Sequence, residues 1–485
     1  MSSREAIATA VTAVPALAVV LVLLSPRRFV TPLARIAALP VAALAVALAV
    51  EALRSPGDPV VGDWLVVDVA GALLVGVIGV VGLASVLVSQ SYLDHARTSL
   101  VTPERGDRVY YAVLYAFWAI LLAVPLAGNL GAAWLLVEAT TAASALLVGF
   151  SGTARALEAG WKYLVLTSLG LGVALLGIVL LAAAVPDGGL GALSWRELSG
   201  HASSDTALVA YLLLLAGMAA KIGWAPVHNW LPDAHSEAPP PVSALLSAAL
   251  LPAVLLVAWR SEQALAPVIG ARTAETVLVA FGLASLAVAI PFLWRSLPWK
   301  RLLAYSSLEH MGVIALGIGF ATPLALAGVA VHIVGHAIAK ALGFYAAGPL
   351  VALEPRAAER PATGLARGNT VLGTTMGVSL GALAGLPPSP LFVSEVLIVA
   401  GGFQAGRPWA AAATALLLAL GFLGLAHALI EATGGRRRRR VEAAAGVRTL
   451  GALAGASVVL LLALTAAALW LPGSDLVDAL AKGLA

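Results

Sequence analysis

Apolar stretches of about 20 residues recur along the whole chain and are separated by short polar segments. A helix of about 20 apolar residues crosses roughly 30 Å of hydrocarbon, and the sequence lacks the alternating ten-residue pattern of membrane β-strands. The pattern predicts an all-α polytopic membrane protein with about 14 transmembrane helices. The predicted spans are Ile7–Leu24, Leu33–Leu53, Leu65–Val88, Val109–Leu126, Leu130–Phe150, Tyr163–Val185, Ala207–Trp224, Val242–Trp259, Ala274–Trp294, Leu308–Phe320, Leu324–Leu350, Thr370–Leu397, Ala410–Ile430 and Thr449–Leu471.

Prolines interrupt the apolar pattern at two places, and each proline removes a backbone donor from a helix. The first break is KIGWAPVHNWLPDAHSEAPPPVSALLSAA at residues 221–249, and the second is LPPSPLFVSE at residues 386–395. These breaks predict discontinuous helices 7 and 12. Carbonyl groups freed in a membrane find partners only inside protein or beside a water-filled cavity. Paired broken helices indicate an ion site, so we expect function at these two places.

Composition supports a membrane protein, since 60% of the residues are hydrophobic, 11% are charged and the mean hydropathy is +0.96. Such values are not typical of soluble domains. The chain has no cysteine, which excludes a disulfide framework, a thiolate zinc site and a cysteine-ligated iron–sulfur cluster. A Walker phosphate loop, a G-x-G-x-x-G between a strand and a helix, and a GxSxG elbow at a strand-to-helix turn are also absent. We therefore expect no cofactor in this chain and redox chemistry only on partner subunits.

Lysine and arginine are distributed unequally between the two sides of the predicted spans, with 20 on one side and 7 on the other. Short cytoplasmic loops accumulate these residues, so the bias places both termini outside the cytoplasm. The run Arg436–Arg440 is compatible with an anionic-lipid or nucleic-acid patch. A cytoplasmic anchor next to a span is the simpler interpretation.

Ionisable groups inside the predicted spans are few, and each costs about 2.5–3.5 kcal/mol on insertion scales. They are candidates for proton translocation: Glu138, Lys221, His332, His336, Lys340 and Glu395. The alternative is a buried Glu–Lys pair that only locks helices together. That interpretation is weaker here because the groups lie at four widely separated positions.

The segment HIVGHAIAK, residues 332–340, places His332, His336 and Lys340 on one helix face, with successive groups about 6 Å apart. Histidine titrates near neutrality, so this face predicts a proton ladder. Two histidines satisfied within the core are an alternative. We predict no metal site, because the pattern supplies no third ligand, no cysteine and no HExxH motif.

Lys221 and Glu138 are expected to form a switching pair, because movement of a carboxylate relative to a lysine changes which protonation state is favoured. Glu395 follows the second group of prolines and is expected to be the proton exit. Glu309 and His310, near the start of the predicted tenth span, would reach either a cytoplasmic entrance or the membrane interface. The candidates for the channel entrance or lining are His228, Asp233, His235, Glu237, Ser247, Glu309 and His310.

Five segments resemble the antiporter-like membrane subunits shared by respiratory complex I, membrane-bound hydrogenases and multisubunit cation/proton antiporters. They are NLGAAWLLVEATTAASALLV, KIGWAPVHNWLPDAHSEAPPPVSALL, LLAYSSLEHMGVIALGIG, HIVGHAIAKALGFYAAGPL and GLPPSPLFVSEVLI, within roughly residues 105–405. EATT and SSLEHMG are most similar to hydrogenase-4 component F of the group-4 nickel–iron hydrogenases. Many relatives carry lysine or histidine where this chain has Ser247, so its half-channels would be linked more by water or by His332 and His336.

The resemblance implies two inverted five-helix repeats. They would be residues 105–260 (helices 4–8) and residues 261–434 (helices 9–13). Residues 1–104 would hold helices 1–3, and residues 435–485 a basic loop and helix 14. The resemblance assigns Glu138 and Lys221 to the input half-channel, the eleventh-span residues to the connection and Glu395 to the output.

The resemblance also implies a non-catalytic, proton-translocating subunit of an oxidoreductase complex in the cytoplasmic membrane of a bacterium or archaeon. A group-4 hydrogenase type is favoured over an NADH-quinone oxidoreductase type. The nickel–iron centre and iron–sulfur clusters would lie on partners, which would include other membrane subunits and a peripheral redox arm but no nucleic acid. A subunit of a Na⁺/H⁺ antiporter or inorganic-carbon uptake system is one alternative, and an inactive structural spacer is another. Both H⁺ and Na⁺ remain open as the transported ion.

Overall fold

The computed structural model describes residues 3–56, 59–62, 64–99, 106–185, 193–198, 202–353, 361, 363–434, 447–471 and 477. Thirteen helices in this part of the chain are long and apolar enough to cross a membrane. The predicted twelfth span is present as two shorter apolar helices, Thr370–Leu383 and Pro390–Gln404. The predicted set of about 14 spans is therefore confirmed. The arginine run at 436–440 lies outside the described residues.

Eighteen helices follow one another along the described residues. They are α1 Ser3–Leu24, α2 Val30–Arg54, α3 Val69–Ser99, α4 Gly106–Ala123, α5 Leu130–Val148, α6 Ala154–Ala183, α7 Ser204–Ile222, α8 Leu231–Glu237, α9 Pro240–Leu245, α10 Leu251–Ile269, α11 Ala271–Leu293, α12 Trp299–Phe320, α13 Pro323–Leu353, α14 Leu365–Gly368, α15 Thr370–Leu383, α16 Pro390–Gln404, α17 Pro408–Gly434 and α18 Val447–Ala468. A small antiparallel hairpin, β1 Val60–Val61 and β2 Val66–Val67, precedes α3.

The centre of the bundle is formed by the helices of the eighth and tenth spans. The most apolar stretches of Pro240–Ile269 and Trp299–Phe320 are completely buried within the protein. The helix α13 packs against α12, α15, α16 and α18, and also against α3 and α9. Polar side chains on these inner helices are therefore shielded from lipid by the surrounding helices.

Several predicted spans are longer in the structure than in the sequence pattern, among them the tenth and the eighth. The tenth span begins at Trp299, so the predicted start at Leu308 is wrong. The polar residues before Leu308 face neighbouring helices, and Ser306 and Ser307 are completely buried. The eighth span continues to Ile269, and the charge of the buried Arg260 within it is balanced by an ion pair with Asp68 at 2.9 Å.

Both predicted helix breaks are confirmed, and side chains satisfy the carbonyl groups that they free. At the first break α7 ends before Gly223, whose φ is +79°, and Trp230 Nε1 donates to the Ala220 carbonyl at 2.6 Å. At the second break, between α15 and α16, Ser389 Oγ donates to the Ala382 carbonyl at 3.1 Å. This is the protein-buried setting that broken helices require in a membrane. The inverted repeats and their boundaries stay a prediction.

Candidate functional site

Lys221 lies in the last turn of α7, directly before the first break, and is completely buried. Its Nζ donates to Thr141 Oγ1 at 2.7 Å and also to the Tyr163 hydroxyl. The same nitrogen is 4.5 Å from the centre of the Tyr163 ring. The Tyr163 hydroxyl is in turn 2.7 Å from Ser144 Oγ. The lysine is therefore held by neutral hydroxyl groups on α5 and α6.

Glu138 lies one helical turn before Thr141 on α5 and is half-buried. Its Oε1 accepts a hydrogen bond from Ser168 Oγ at 2.6 Å, while Oε2 is buried without a hydrogen-bond partner. The ion pairs within 4.0 Å among the described residues do not include Lys221. Glu138 and Lys221 are thus not in direct contact in this conformation, and their role as a switching pair stays a prediction.

The predicted ladder on α13 has the expected geometry. His332, His336 and Lys340 are all completely buried, and the two imidazole rings are 6.4 Å apart. Lys340 Nζ donates to the Leu303 carbonyl at 2.6 Å and also to Ser306 Oγ. Like Lys221, this lysine is hydrogen-bonded to neutral groups rather than paired with a carboxylate within 4.0 Å. Whether the ladder carries protons stays a prediction.

A third histidine joins the ladder from α12. His310 Nδ1 is 3.0 Å from His332 Nε2, and His332 Nδ1 is 2.8 Å from Ser394 Oγ on α16. The rings of His310 and His336 are 5.0 Å apart. Three histidines on two helices therefore lie next to the second break. His310 is 1% exposed, so it lies deep in the bundle and not near the start of the tenth span.

Two carboxylates lie close to these histidines. A Cβ atom at Gly385, in the second break, would be 2.7 Å from Glu395 Oε2, so this carboxylate occupies the gap between α15 and α16. Glu309 on α12 is 3% exposed, and its Oε2 has no hydrogen-bond partner. Glu309 packs so closely against Gly421 on α17 that a Cβ atom there would collide with its carboxylate. Glu309, like His310, therefore lies in the interior of the protein.

Ser247 lies in a π-helical turn, Leu246–Leu250, between α9 and α10. Its hydroxyl is 2.7 Å from Ser307 Oγ. Single π-helical turns inside α-helices often occur at functional sites. The turn thus places a serine–serine contact between the eighth and tenth spans. The resemblance had indicated an ionisable group in many relatives at the position of Ser247.

The remaining entrance candidates surround the short helix α8. Asp233 forms ion pairs with Arg301 at 3.1 Å and with Lys162 at 3.6 Å, and all three side chains are partly exposed. His235 is completely buried, and neither of its ring nitrogens has a hydrogen-bond partner. His228 and Glu237 are half-buried at the two ends of this segment. Asp233 is therefore accessible to water, whereas His235 lies inside the bundle.

Sequence reasoning missed three hydroxyl groups that contact the candidate residues: Tyr163, Ser168 and Ser394. Ser394 directly precedes Glu395, and this adjacency was a usable signal. Tyr163 and Ser168 lie on α6, away from both proline breaks, and only the folded structure brings them to α5 and α7.

Comparisons with known proteins agree with this architecture. The family model described as NADH:quinone oxidoreductase/Mrp antiporter, TM, matches residues 127–420. The hydrogenase-4 component F homolog of Methylacidiphilum infernorum is 34% identical over 372 residues, which are 75% of this chain and 78% of that protein. The NADH-quinone oxidoreductase subunit N of Desulforudis audaxviator is 31% identical over 396 residues, covering 75% and 72% of the two chains.

The fold is also found in a solved structure. A chain of the membrane-bound sulfane sulfur reductase, an archaeal respiratory membrane complex, superposes with a TM-score of 0.85. It is 21% identical, and the superposition covers 98% of this chain and 97% of that chain. At this identity the similarity concerns the fold alone.

Proposed function

The chain is a multi-pass membrane protein of the NADH:quinone oxidoreductase/Mrp antiporter family, and we propose that it translocates protons within a multisubunit redox complex. The complex is of the group-4 hydrogenase type. Partner subunits carry the nickel–iron centre and the iron–sulfur clusters, and they supply the energy. This chain contributes the proton path and does not catalyse electron transfer.

The observation that carries this proposal is the environment of the two buried lysines. Lys221 and Lys340 are both completely buried, and each is hydrogen-bonded to neutral oxygen atoms. A lysine with a structural role inside a membrane protein is expected to be paired with a carboxylate. A lysine held only by neutral acceptors can gain and lose a proton without breaking an ion pair.

The proposed path follows the polar groups of the inner helices. Protons enter the first half through Glu138 and Lys221. They cross the centre by way of the α13 ladder, His332, His336 and Lys340, with Ser247 and ordered water linking the two halves. Glu395 at the second break is the exit. Ordered water completes the path, because irregular backbone at membrane depth lies only inside protein or beside a water-filled cavity.

The relative with 34% identity is called a hydrogenase-4 component F homolog, which supports a hydrogenase-type complex over an antiporter. The family model is described by both an NADH:quinone oxidoreductase and the Mrp antiporter, so it does not choose between a redox complex and an antiporter. An inorganic-carbon uptake complex would use the same buried groups. The identity of the partner subunits therefore decides between these functions.

Affinity purification of the tagged chain from its native membrane, followed by mass spectrometry, tests this assignment. We expect nickel–iron or quinone-site subunits to co-purify. The isolated chain should neither reduce quinone nor evolve hydrogen, because it has no cysteine to bind a cluster. Co-purification with small antiporter subunits and no redox subunit would overturn the proposal.

A further inference from the structure

Three side chains that can bind a metal ion come together at the second break. One ligand atom each from His310, His332 and Glu395 lies within 4.8 Å of the others. The three residues come from α12, α13 and α16, so only the fold brings them together. We propose that they form a binding site for a divalent transition-metal ion, with Zn²⁺ as the ion it fits best.

The separation of the two imidazole nitrogens fits this use. Zinc binds histidine nitrogen at about 2.0–2.1 Å in tetrahedral geometry, which places neighbouring nitrogens about 3.3 Å apart. His310 Nδ1 and His332 Nε2 are 3.0 Å apart. The two nitrogens now share a hydrogen bond, so an ion must displace the proton between them, and the rings must turn so that both lone pairs point at the ion.

The other nitrogen of His332 is already oriented as in a metal site. Metal-binding histidines generally bond their second ring nitrogen to a polar group, and this contact fixes the orientation of the ring. Here His332 Nδ1 is 2.8 Å from Ser394 Oγ. Ser394 Oγ also donates to the Leu391 carbonyl at 2.7 Å, so the serine is itself held in place. Because the serine proton goes to Leu391, Ser394 Oγ accepts from His332 Nδ1. The lone pair of His332 Nε2 therefore points toward His310 in the cluster.

A further nitrogen donor lies beside the three ligands, on α13. Neither ring nitrogen of His336 has a hydrogen-bond partner, and its ring is 5.0 Å from that of His310. The fourth coordination position is therefore open to His336 or to water.

The donor set selects among metal ions. Two imidazoles and one carboxylate suit zinc and its neighbours in the first transition series, whereas magnesium and calcium prefer oxygen ligands alone. The site should therefore bind Zn²⁺ or Co²⁺ but not Mg²⁺. A bound ion would occupy groups of the α13 ladder and of the proposed exit. We therefore also expect zinc to inhibit proton pumping. This second expectation rests on the proposed function, whereas the expectation that zinc binds does not depend on it.

The test is zinc binding by the purified complex that contains this chain. After treatment with a chelator, the complex is titrated with ZnCl₂, desalted and analysed for metal by mass spectrometry. We expect the parent complex to bind one zinc ion at this site and His332→Ala to bind one zinc ion fewer per complex. Ser394→Ala, which removes only the orienting hydroxyl, should weaken that site about tenfold. His427→Ala, at an exposed histidine on α17, should retain parental binding.

A spectroscopic measurement distinguishes ligand loss from misfolding. Co²⁺ in the parent complex should give the visible absorption of a tetrahedral ion, and excess Mg²⁺ should not displace it. Glu395→His, which keeps a ligand, should preserve this absorption, whereas Glu395→Gln should lose it. Equal zinc binding by the parent, His332→Ala and Ser394→Ala would overturn the site. Zinc that binds as expected without slowing proton transport would support the site and contradict the proposed path.

Discussion

Replacing Tyr163 by phenylalanine removes one hydroxyl from the surroundings of Lys221 and leaves the ring in place. Lys221 Nζ keeps its hydrogen bond to Thr141 Oγ1 at 2.7 Å, and Ser144 Oγ keeps its bond to the Thr140 carbonyl at 2.5 Å. The helices should therefore remain packed. The change tests whether the hydroxyl is needed when Lys221 carries a proton.

The magnitude follows from the hydrogen bond that is lost. A hydrogen bond to a charged group contributes about 1.5–3 kcal/mol, and each 1.4 kcal/mol in a barrier is about tenfold in rate. If Lys221 is protonated in every cycle, Tyr163→Phe should slow that step roughly 10- to 150-fold. Proton pumping by the assembled complex should fall with it.

Tyr345→Phe is the matched control. Tyr345 is equally buried at 2% exposure, and its hydroxyl contacts Ser85 Oγ at 2.8 Å and the Val81 carbonyl at 3.1 Å. Both partners are neutral and lie outside the proposed path, so this variant should pump normally. The assay is the initial rate of proton uptake in vesicles that contain the whole complex. Equal pumping by both variants would refute the role given to Tyr163 and Lys221.

Two further predictions concern the structure itself. Asp68→Asn leaves the buried guanidinium of Arg260 without its carboxylate partner at 2.9 Å, which should destabilise the protein by about 3–5 kcal/mol. Thermal unfolding in detergent should show a clear decrease in the midpoint temperature. An unchanged midpoint would contradict the energetic importance of the pair. Because the chain has no cysteine, single cysteines at the exposed positions Arg54 and Arg155 should be labelled from opposite sides of the membrane, and labelling from the same side would mean that the predicted orientation is wrong.

The spans and both breaks could be predicted because lipid imposes strong rules on sequence. Apolar length identifies the helices, and prolines such as Pro226 and Pro388 mark the places where helices cannot continue. The ladder on α13 also followed from spacing alone. Such local patterns need no knowledge of which helices are neighbours.

The contacts between helices could not be predicted in this way. Glu309 and His310 lie near polar residues in the sequence, but the burial of α12 places them in the interior. Tyr163 reaches Lys221 across 58 positions in the chain, and Ser394 reaches His332 across 62. These contacts depend on which helices pack together, and the hydrophobic periodicity of a single sequence does not show that.

The proton-to-electron ratio of the assembled complex tests the central claim most directly. Lys340→Met and Glu395→Gln each remove a proton-binding group of the proposed path with little change of shape. Glu262→Gln, at a mostly buried carboxylate on α10 with 8% exposure, is the control outside the path. We expect the first two variants to assemble and to pump fewer protons per electron, while the control keeps the parental ratio. A parental ratio in both path variants would contradict proton transport by this chain and favour an inactive spacer.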